Sequence, residues 1–283
     1  MIERLAALKD LTLNVAVGSE QGPPLILFHG VTRRWDDWLV LRPYLAGQWH
    51  IHALDQRGHG KSGWVPGFYR VIDFVADAVE YVSTLGVPVV LFGHSLGAMV
   101  ACGVAARRPD LVRGLVLEDP TFEMTGSRIS ETAFPDTFHA YLPLIGSDLP
   151  ASEVARRLAR ALVTVPGKEE KVPLGSFRDL ASLRYTASCL RQLDPTILPL
   201  ILEKRWLEGY DVAATLGKID CPTLLLQADS ECGGALPDSY AQELAADIDD
   251  CLLVKLPRTG HNIHSTQTEL LLRPLLPFLA SLG

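Results

Sequence analysis

The chain has 283 residues, of which 48% are hydrophobic and 21% are charged, a composition that excludes disorder as its main state. Its formal net charge is −7, because 33 acidic side chains outnumber 26 lysines and arginines. Phosphate backbones and anionic lipids repel such a chain, so we expect neither nucleic acid nor a membrane surface as a partner. No apolar run is long enough to span a membrane, and residues 1–4 lack the basic-then-apolar order of a signal peptide. These features predict a soluble, cytoplasmic protein.

Short apolar runs alternate with amphipathic stretches along much of the chain, a pattern typical of βαβ units. The runs that predict buried strands cover residues 23–28, 50–55, 88–92, 112–117, 222–226 and 252–256. Between the second and third of these, Ile72, Val75, Val79 and Val82 recur at helical spacing, and Gly86 then provides a helix stop. The order predicts an α/β fold with a mostly parallel sheet flanked by helices.

A long central segment has a different character. From residue 120 to residue 211 the strand-like runs disappear and prolines interrupt helical patterns. Because this stretch is too long for a structureless loop, we predict a helical cap over residues 120–211, inserted into a core domain of residues 1–119 and 212–283. A cap of this kind shapes a pocket, and its apolar side chains Phe122, Phe134 and Phe138 are candidates for the pocket wall.

The motif Gly93-His94-Ser95-Leu96-Gly97 follows a predicted strand and precedes an alanine-rich helical stretch. This is G-x-S-x-G in the strand–turn–helix context that exposes a serine hydroxyl on a tight turn. Both glycines are needed because the turn leaves almost no room for side chains. The pattern predicts a nucleophilic Ser95.

On these motifs the chain resembles the α/β-hydrolase family. The matching landmarks, in chain order, are residues 29–30, 55–62, 93–97 and 260–261. The resemblance implies a sheet of roughly eight strands with a cap inserted after the sixth, although residues 1–18 leave little room for the first two strands. It also implies a serine esterase or lactonase activity.

A serine hydroxyl needs a base within hydrogen-bond reach, and the base needs an orienting acid. His261 follows the last predicted strand and is the expected base, with His264 as a less favoured alternative. The favoured acid is Asp229, which closes a strand in the order that the resemblance implies, although Gln227 stands where a glycine is usual. Asp119 and Glu118, at the end of an earlier strand, are the alternative acids.

The backbone N–H groups of Val31 and Leu96 are expected to form the oxyanion hole, the former by position in the resembled family. Trp35 lies in a loop that could line the pocket entrance. We therefore expect a serine hydrolase, a monomer or homodimer, that cleaves a small, uncharged, apolar ester or lactone through an acyl-enzyme without a cofactor or metal. Cofactor-free carbon–carbon hydrolysis, perhydrolysis and a non-catalytic ligand receptor remain alternatives.

Overall fold

An eight-stranded β-sheet forms the centre of the computed structural model, which describes residues 1–282. Its strand order is β1-β2-β4-β3-β5-β6-β9-β10, and all neighbours from β4 onward run parallel, whereas β1 and β2 are antiparallel. This confirms the predicted fold class. The strands are β1 (Ile2–Ala7), β2 (Thr12–Val17), β3 (Pro24–Phe28), β4 (His50–Leu54), β5 (Val89–His94), β6 (Val112–Glu118), β7 (Leu162–Val163), β8 (Val172–Pro173), β9 (Thr223–Ala228) and β10 (Cys251–Leu256).

Helices cover both faces of the sheet. They are α1 (Arg42–Leu45), α2 (Val71–Leu85), α3 (Leu96–Arg107), α4 (Phe134–Tyr141), α5 (Ala151–Arg160), α6 (Leu180–Leu190), α7 (Ile197–Leu202), α8 (Val212–Leu216), α9 (Asp238–Ala246), α10 (Ile263–Thr266) and α11 (Thr268–Ser281). Helix α2 contains the four predicted apolar positions and ends where predicted, since Gly86 follows it with a φ of 66°. Within residues 1–282 no helix is both long enough and apolar enough to cross a membrane.

The strand β3 shows why the central runs of the sequence are apolar throughout. Ile26 and Phe28 belong to the hydrophobic core on one face of the sheet, whereas Leu25 and Leu27 belong to the core on the other face. Because successive side chains point to opposite faces, a strand covered on both sides carries no polar alternation. The continuous apolar runs in the sequence therefore indicated a sheet that is covered on both faces.

The N-terminal hairpin corrects the expectation that residues 1–18 leave little room for two strands. Strands β1 and β2 are six residues each, and the turn between them is closed by the Leu8 N–H, which donates to the Leu11 carbonyl at 2.8 Å. Strand β1 lies at the edge of the sheet, where Ile2 and Leu5 are exposed. An exposed edge strand lacks the apolar run of a buried strand, so its pattern is weak.

The chain leaves the sheet after β6 and returns at β9. The connection contains helices α4 to α8 and the short antiparallel pair β7–β8. It is bonded to the rest of the molecule at several points, for example by the Tyr210 hydroxyl, which donates to the Met99 carbonyl at 2.8 Å. The backbone N–H of Asp194 likewise donates to the Gly58 carbonyl at 2.8 Å. The division into a core and a cap at residues 120 and 211 stays a prediction.

Candidate active site

Ser95 lies on the turn between β5 and α3 with a φ of 55° and a ψ of −115°. Non-glycine residues rarely adopt a positive φ, so the surrounding structure must hold this conformation. A Cβ atom at Gly93 would lie 2.1 Å from the Gly97 carbonyl oxygen, and one at Gly97 would lie 1.9 Å from the Phe28 carbonyl oxygen. Both glycines of the motif are therefore required by close backbone packing. The serine sits on a tight strand–turn–helix connection.

The loop that carries His261 is bonded to this turn. The imidazole of His94 donates from Nε2 to the carbonyl oxygen of His261 at 2.9 Å, and the two ring centroids are 4.7 Å apart. His94 is buried, and burial holds its pKa well below the usual range, so its ring is neutral at pH 7. The residue before Ser95 thus fixes the position of the His261 backbone.

The carboxylate in contact with His261 is that of Asp119. Its Oδ2 atom lies 2.6 Å from Nδ1 of His261 and also accepts the backbone N–H of Ala235 at 2.7 Å, while Oδ1 accepts that of Ala228 at 3.2 Å. Asp119 is completely buried and has a positive φ of 44°. Two backbone donors therefore hold this carboxylate in place for one imidazole nitrogen.

The structure corrects the favoured assignment of Asp229 as the acid. Its Oδ1 accepts the backbone N–H of Glu231 at 3.1 Å, and its Oδ2 accepts the backbone N–H of Arg258 at 2.9 Å. These bonds cap a short 3-10 helix and brace the loop that leads to His261. Asp229 therefore supports loop structure, and the carboxylate beside the imidazole comes from one of the two alternative residues.

Glu118, the other alternative acid, contacts His264 instead. Both carboxylate oxygens lie 2.9 Å from the His264 Nδ1, and Oε1 also accepts the His264 backbone N–H at 2.8 Å. Both side chains are fully buried. His264 is thus bound to its own carboxylate and is not the histidine paired with Asp119. The contact also joins α10 to the end of β6.

A second carboxylate lies on the far side of the His264 ring. Its Nε2 is 3.2 Å from Oδ2 of Asp37, and the ring stacks on Trp38 with centroids 4.6 Å apart. Burial alone would lower the pKa of His264, but the carboxylates of Glu118 and Asp37 outweigh this effect and raise it to about 10. The pKa of Asp37, which burial alone would raise, is held well below its usual range by His264 and Arg33. The sequence pattern gave no sign of this buried ionic cluster, because its members come from three distant segments.

The two predicted oxyanion donors follow β3 and Ser95. Leu96 is the first residue of α3, so its N–H has no acceptor within that helix. The Val31 N–H donates to no other residue among those that the structure describes. Gly30 brings the Val31 loop close to the serine, since a Cβ there would lie 3.2 Å from the Ser95 Cβ and 2.7 Å from the His94 Nδ1. Both N–H groups are free for a ligand.

A cavity of about 920 Å³ opens beside His261. His261 and Phe134 both line it, and their rings meet edge to face with centroids 5.3 Å apart. Ser95 is only 3% exposed and does not itself belong to the lining. The cavity also receives charged side chains, namely Arg33, Asp37, Glu131, Arg178, Asp179 and Arg258. It is therefore more polar than the sequence led us to expect.

Three of the four residues predicted to line the pocket lie elsewhere. Phe122 is 1% exposed and packs in the core, where its backbone N–H contacts the Met99 sulfur at 3.2 Å. Phe138 is buried behind Phe134, with the two rings stacked at 5.7 Å. Trp35 packs against the second core, and its backbone N–H donates to the Asp55 carboxylate. Each is apolar packing, which is the usual fate of such side chains.

Comparison with known proteins shows the family to which the chain is similar. The model of the alpha/beta hydrolase family matches residues 25–273. The 2-(acetamidomethylene)succinate hydrolase of Mesorhizobium japonicum is 25% identical, over 98% of this chain and 95% of its own length. The (E)-2-((N-methylformamido)methylene)succinate hydrolase of Acinetobacter baylyi is 36% identical, but the match spans 37% of this chain and 40% of that enzyme. A solved structure of E-2-(acetamidomethylene)succinate hydrolase superposes with a TM-score of 0.76 at 22% identity, covering 99% of both chains, and shares the fold.

Proposed function

Because the chain belongs to the alpha/beta hydrolase family, we propose that it hydrolyses a carboxylic ester or lactone through an acyl-enzyme on Ser95. The Ser95 oxygen attacks the carbonyl carbon while His261 takes the hydroxyl proton. The tetrahedral intermediate collapses, and His261 returns the proton to the leaving alkoxide. Water then attacks the acyl-enzyme by the same route in reverse, which releases a carboxylic acid and restores the serine.

The single observation that carries this proposal is the contact between Asp119 and His261. An Nδ1–H of His261 that donates to Asp119 at 2.6 Å leaves Nε2 unprotonated, which is the tautomer of a general base. The buried carboxylate also stabilises the imidazolium that forms when the serine proton arrives. With Ser95, these residues would supply the nucleophile, base and acid that acyl transfer requires.

The oxyanion of the tetrahedral intermediate would be held by the N–H groups of Val31 and Leu96. Neither donor needs to give up a bond within the described residues to do so. In a water-excluded site, each such donor contributes on the order of 10²–10³ in kcat. Their placement next to Gly30 and Ser95 supports an acyl transfer over a purely receptor-like role.

A second candidate is hydrolysis of an amide on a succinate skeleton. It is favoured by the similarity, over 98% of this chain, to the 2-(acetamidomethylene)succinate hydrolase. The same serine, base and oxyanion donors would attack an amide carbonyl, and the amine would leave with the proton from His261. Incubation with 2-(acetamidomethylene)succinate, with substrate loss followed by chromatography, tests this candidate directly.

Turnover of a panel of substrates tests the proposed function. We expect hydrolysis of p-nitrophenyl esters or simple lactones, and covalent labelling of Ser95 by an alkyl fluorophosphonate, located by peptide mass spectrometry. Ser95→Ala should abolish both signals, and Ser152→Ala, at an exposed serine on α5, should leave them unchanged. Labelling without turnover of any ester or lactone, together with cleavage of a vinylogous diketone, would favour carbon–carbon hydrolysis instead. Absence of labelling would contradict the mechanism.

A further inference from the structure

Arg178 lines the cavity from the connection between β6 and β9. It follows the 3-10 helix of residues 174–176 and precedes Asp179, the N-cap of α6. Its Nη1 atom is buried and has no hydrogen-bond acceptor. Within residues 1–282, the structure gives the Arg178 side chain neither a hydrogen bond nor an ion pair. A guanidinium donor is therefore enclosed without a partner.

Arg178 is half-buried as a residue, but its Nη1 donor is removed from solvent and unpaired. The guanidinium group cannot lose its proton in a protein, so this donor cannot be made harmless by neutralisation. Leaving a buried donor of a charged group without an acceptor is unfavourable. Arg258 lines the same cavity but is exposed, so water can satisfy it. Arg178 is the cavity cation whose donor water does not reach in this structure.

The acidic side chains of the cavity are already engaged. Glu131 forms an ion pair with Arg128 at 2.8 Å, and Asp179 accepts a backbone N–H of α6 at 2.8 Å. Asp37 lies beside the protonated His264 at 3.2 Å. None of these carboxylates contacts the guanidinium of residue 178 in the described part of the chain.

Arg33 is a second guanidinium of the cavity, and it contacts Asn262, the residue after His261. It donates to the Thr186 hydroxyl at 3.0 Å and to the side-chain oxygen of Asn262 at 3.4 Å, and both acceptors are neutral. Its Nε atom also forms an ion pair with Asp37 at 3.9 Å, beyond hydrogen-bond distance, and His264 shares the same carboxylate oxygen. Arg33 therefore has a carboxylate partner, whereas Arg178 has none in the described part of the chain.

We infer that the cavity binds a substrate that carries a free carboxylate, and that Arg178 is the residue that binds this carboxylate. The inference rests on the proposed function, since it places the scissile carbonyl at Ser95 and a second, uncleaved acid group at Arg178. An arginine–carboxylate pair can form two parallel hydrogen bonds, so it fixes orientation as well as affinity. This replaces our expectation of an uncharged substrate, because that expectation rested on a pocket walled by apolar side chains.

Binding of simple dicarboxylates tests the subsite without any chemistry. Succinate, glutarate and adipate would be titrated into the enzyme by calorimetry, because the series varies the distance between the two charges. We expect at least one to bind, with a Kd that Arg178→Met weakens about 10- to 100-fold. Arg178→Lys should recover part of the affinity. Arg184→Met, at an exposed arginine of α6 outside the cavity lining, is the matched control and should leave Kd unchanged.

Paired substrates test the same residue during turnover. The p-nitrophenyl hemiester of glutaric acid carries a free carboxylate, and its methyl ester is the neutral counterpart. We expect kcat/KM to be higher for the hemiester, and the ratio of the two values to fall about 10- to 100-fold in Arg178→Met. The ratio in Arg184→Met should equal that of the unmodified enzyme.

The outcomes separate the inference from the proposed function. If no ester is cleaved but Arg178→Met weakens dicarboxylate binding, the subsite stands and the proposed activity is wrong. If both esters are cleaved through Ser95 with equal kcat/KM, or none of the three dicarboxylates binds, the carboxylate subsite is wrong. Equal losses for both esters in Arg178→Met would also overturn it, because a structural defect does not distinguish charge.

Discussion

The Oδ2 atom of Asp119 lies 2.6 Å from the Nδ1 atom of His261, although 142 positions separate the two residues in the chain. Strand register accounts for this contact. Glu118 pairs with Leu226, and the Asp119 N–H then donates to the Leu226 carbonyl at 2.8 Å, which places the Asp119 side chain just beyond the end of β6. The preceding residue, Glu118, is directed to His264. Glu118 and Asp119 are consecutive in the chain, but their carboxylates contact two different histidines.

The first prediction concerns the choice of acid. Asp119→Asn should lower kcat about 10⁴-fold, because the amide cannot hold the Nδ1–H tautomer or stabilise the imidazolium. Asp229→Asn should lower kcat less than about tenfold, because an amide oxygen can still accept one of its two backbone N–H bonds. Steady-state kinetics on one ester, with thermal unfolding to verify folding, decides between them. A larger loss in Asp229→Asn would contradict the arrangement that we describe.

The second prediction concerns Ser95. Ser95→Ala should reduce turnover by about 10⁴-fold or more, because residues that act as a unit lose their function together. Its melting temperature should stay equal to or exceed that of the unmodified protein, since the positive φ is held by the packing of Gly93 and Gly97 and not by the hydroxyl. Circular dichroism against temperature measures this. Near-normal turnover in Ser95→Ala would remove the proposed nucleophile.

How far the sequence predicted the site depends on what each residue's role requires. The serine turn was predictable because its close packing requires glycines at fixed positions. The apolar strands were predictable because helices cover both faces of the sheet. The acid was not predictable, because Asp119 and Asp229 both follow buried parallel strands and only strand register and loop packing decide which one reaches His261. The one available signal against Asp229 was Gln227, which is buried and donates to the Leu236 carbonyl at 3.0 Å.

The charged cavity was not predictable for a different reason. The surroundings of Arg178 Nη1 and the cluster around His264 are formed by segments that are far apart in sequence. No local sequence pattern therefore indicates them. Phe122 and Phe138 show the converse. Their apolar character predicted burial correctly, but it could not distinguish the core from the cavity wall.

The third prediction concerns pH and His264. Its pKa is raised to about 10 in the folded protein, compared with 6.5 for an unperturbed histidine. The folded state therefore binds more protons than the unfolded state between these values, so the stabilisation is complete below pH 6.5 and is lost as pH rises toward 10. The groups that face the ring are Glu118, Asp37 and His94. We expect the His264 contribution to the free energy of unfolding to fall by a few kcal/mol over this range, on the order given by the pKa shift.

Urea denaturation of the unmodified protein and of His264→Gln at several values from pH 6.5 to 8.5 isolates the His264 contribution as the difference between the two profiles. The thiols and the buried histidines that do not face His264 titrate alike in both proteins and cancel in that difference. His264→Gln should be less stable at pH 6.5, and the difference from the unmodified protein should shrink as pH rises, because glutamine has no proton to release. His139→Gln, at an exposed histidine on α4, is the matched control and should keep the profile of the unmodified protein. Equal profiles in the unmodified protein and His264→Gln, apart from a constant offset, would mean that His264 is not held as a cation.

The last prediction separates the cavity wall from the core. Phe134 lines the cavity and meets the His261 ring, so Phe134→Ala should change the acyl-chain length at which kcat/KM is greatest, moving it toward longer esters. Phe122 is enclosed near Tyr210 and Met99, so Phe122→Ala should lower the free energy of unfolding by about 3–5 kcal/mol. Its effect on chain-length preference should be small, because Phe122 does not line the cavity. Initial rates on a series of p-nitrophenyl esters and urea denaturation of both variants measure the two effects. If Phe122→Ala shifted the preference while Phe134→Ala did not, the cavity that we describe would not be the one that receives the acyl chain.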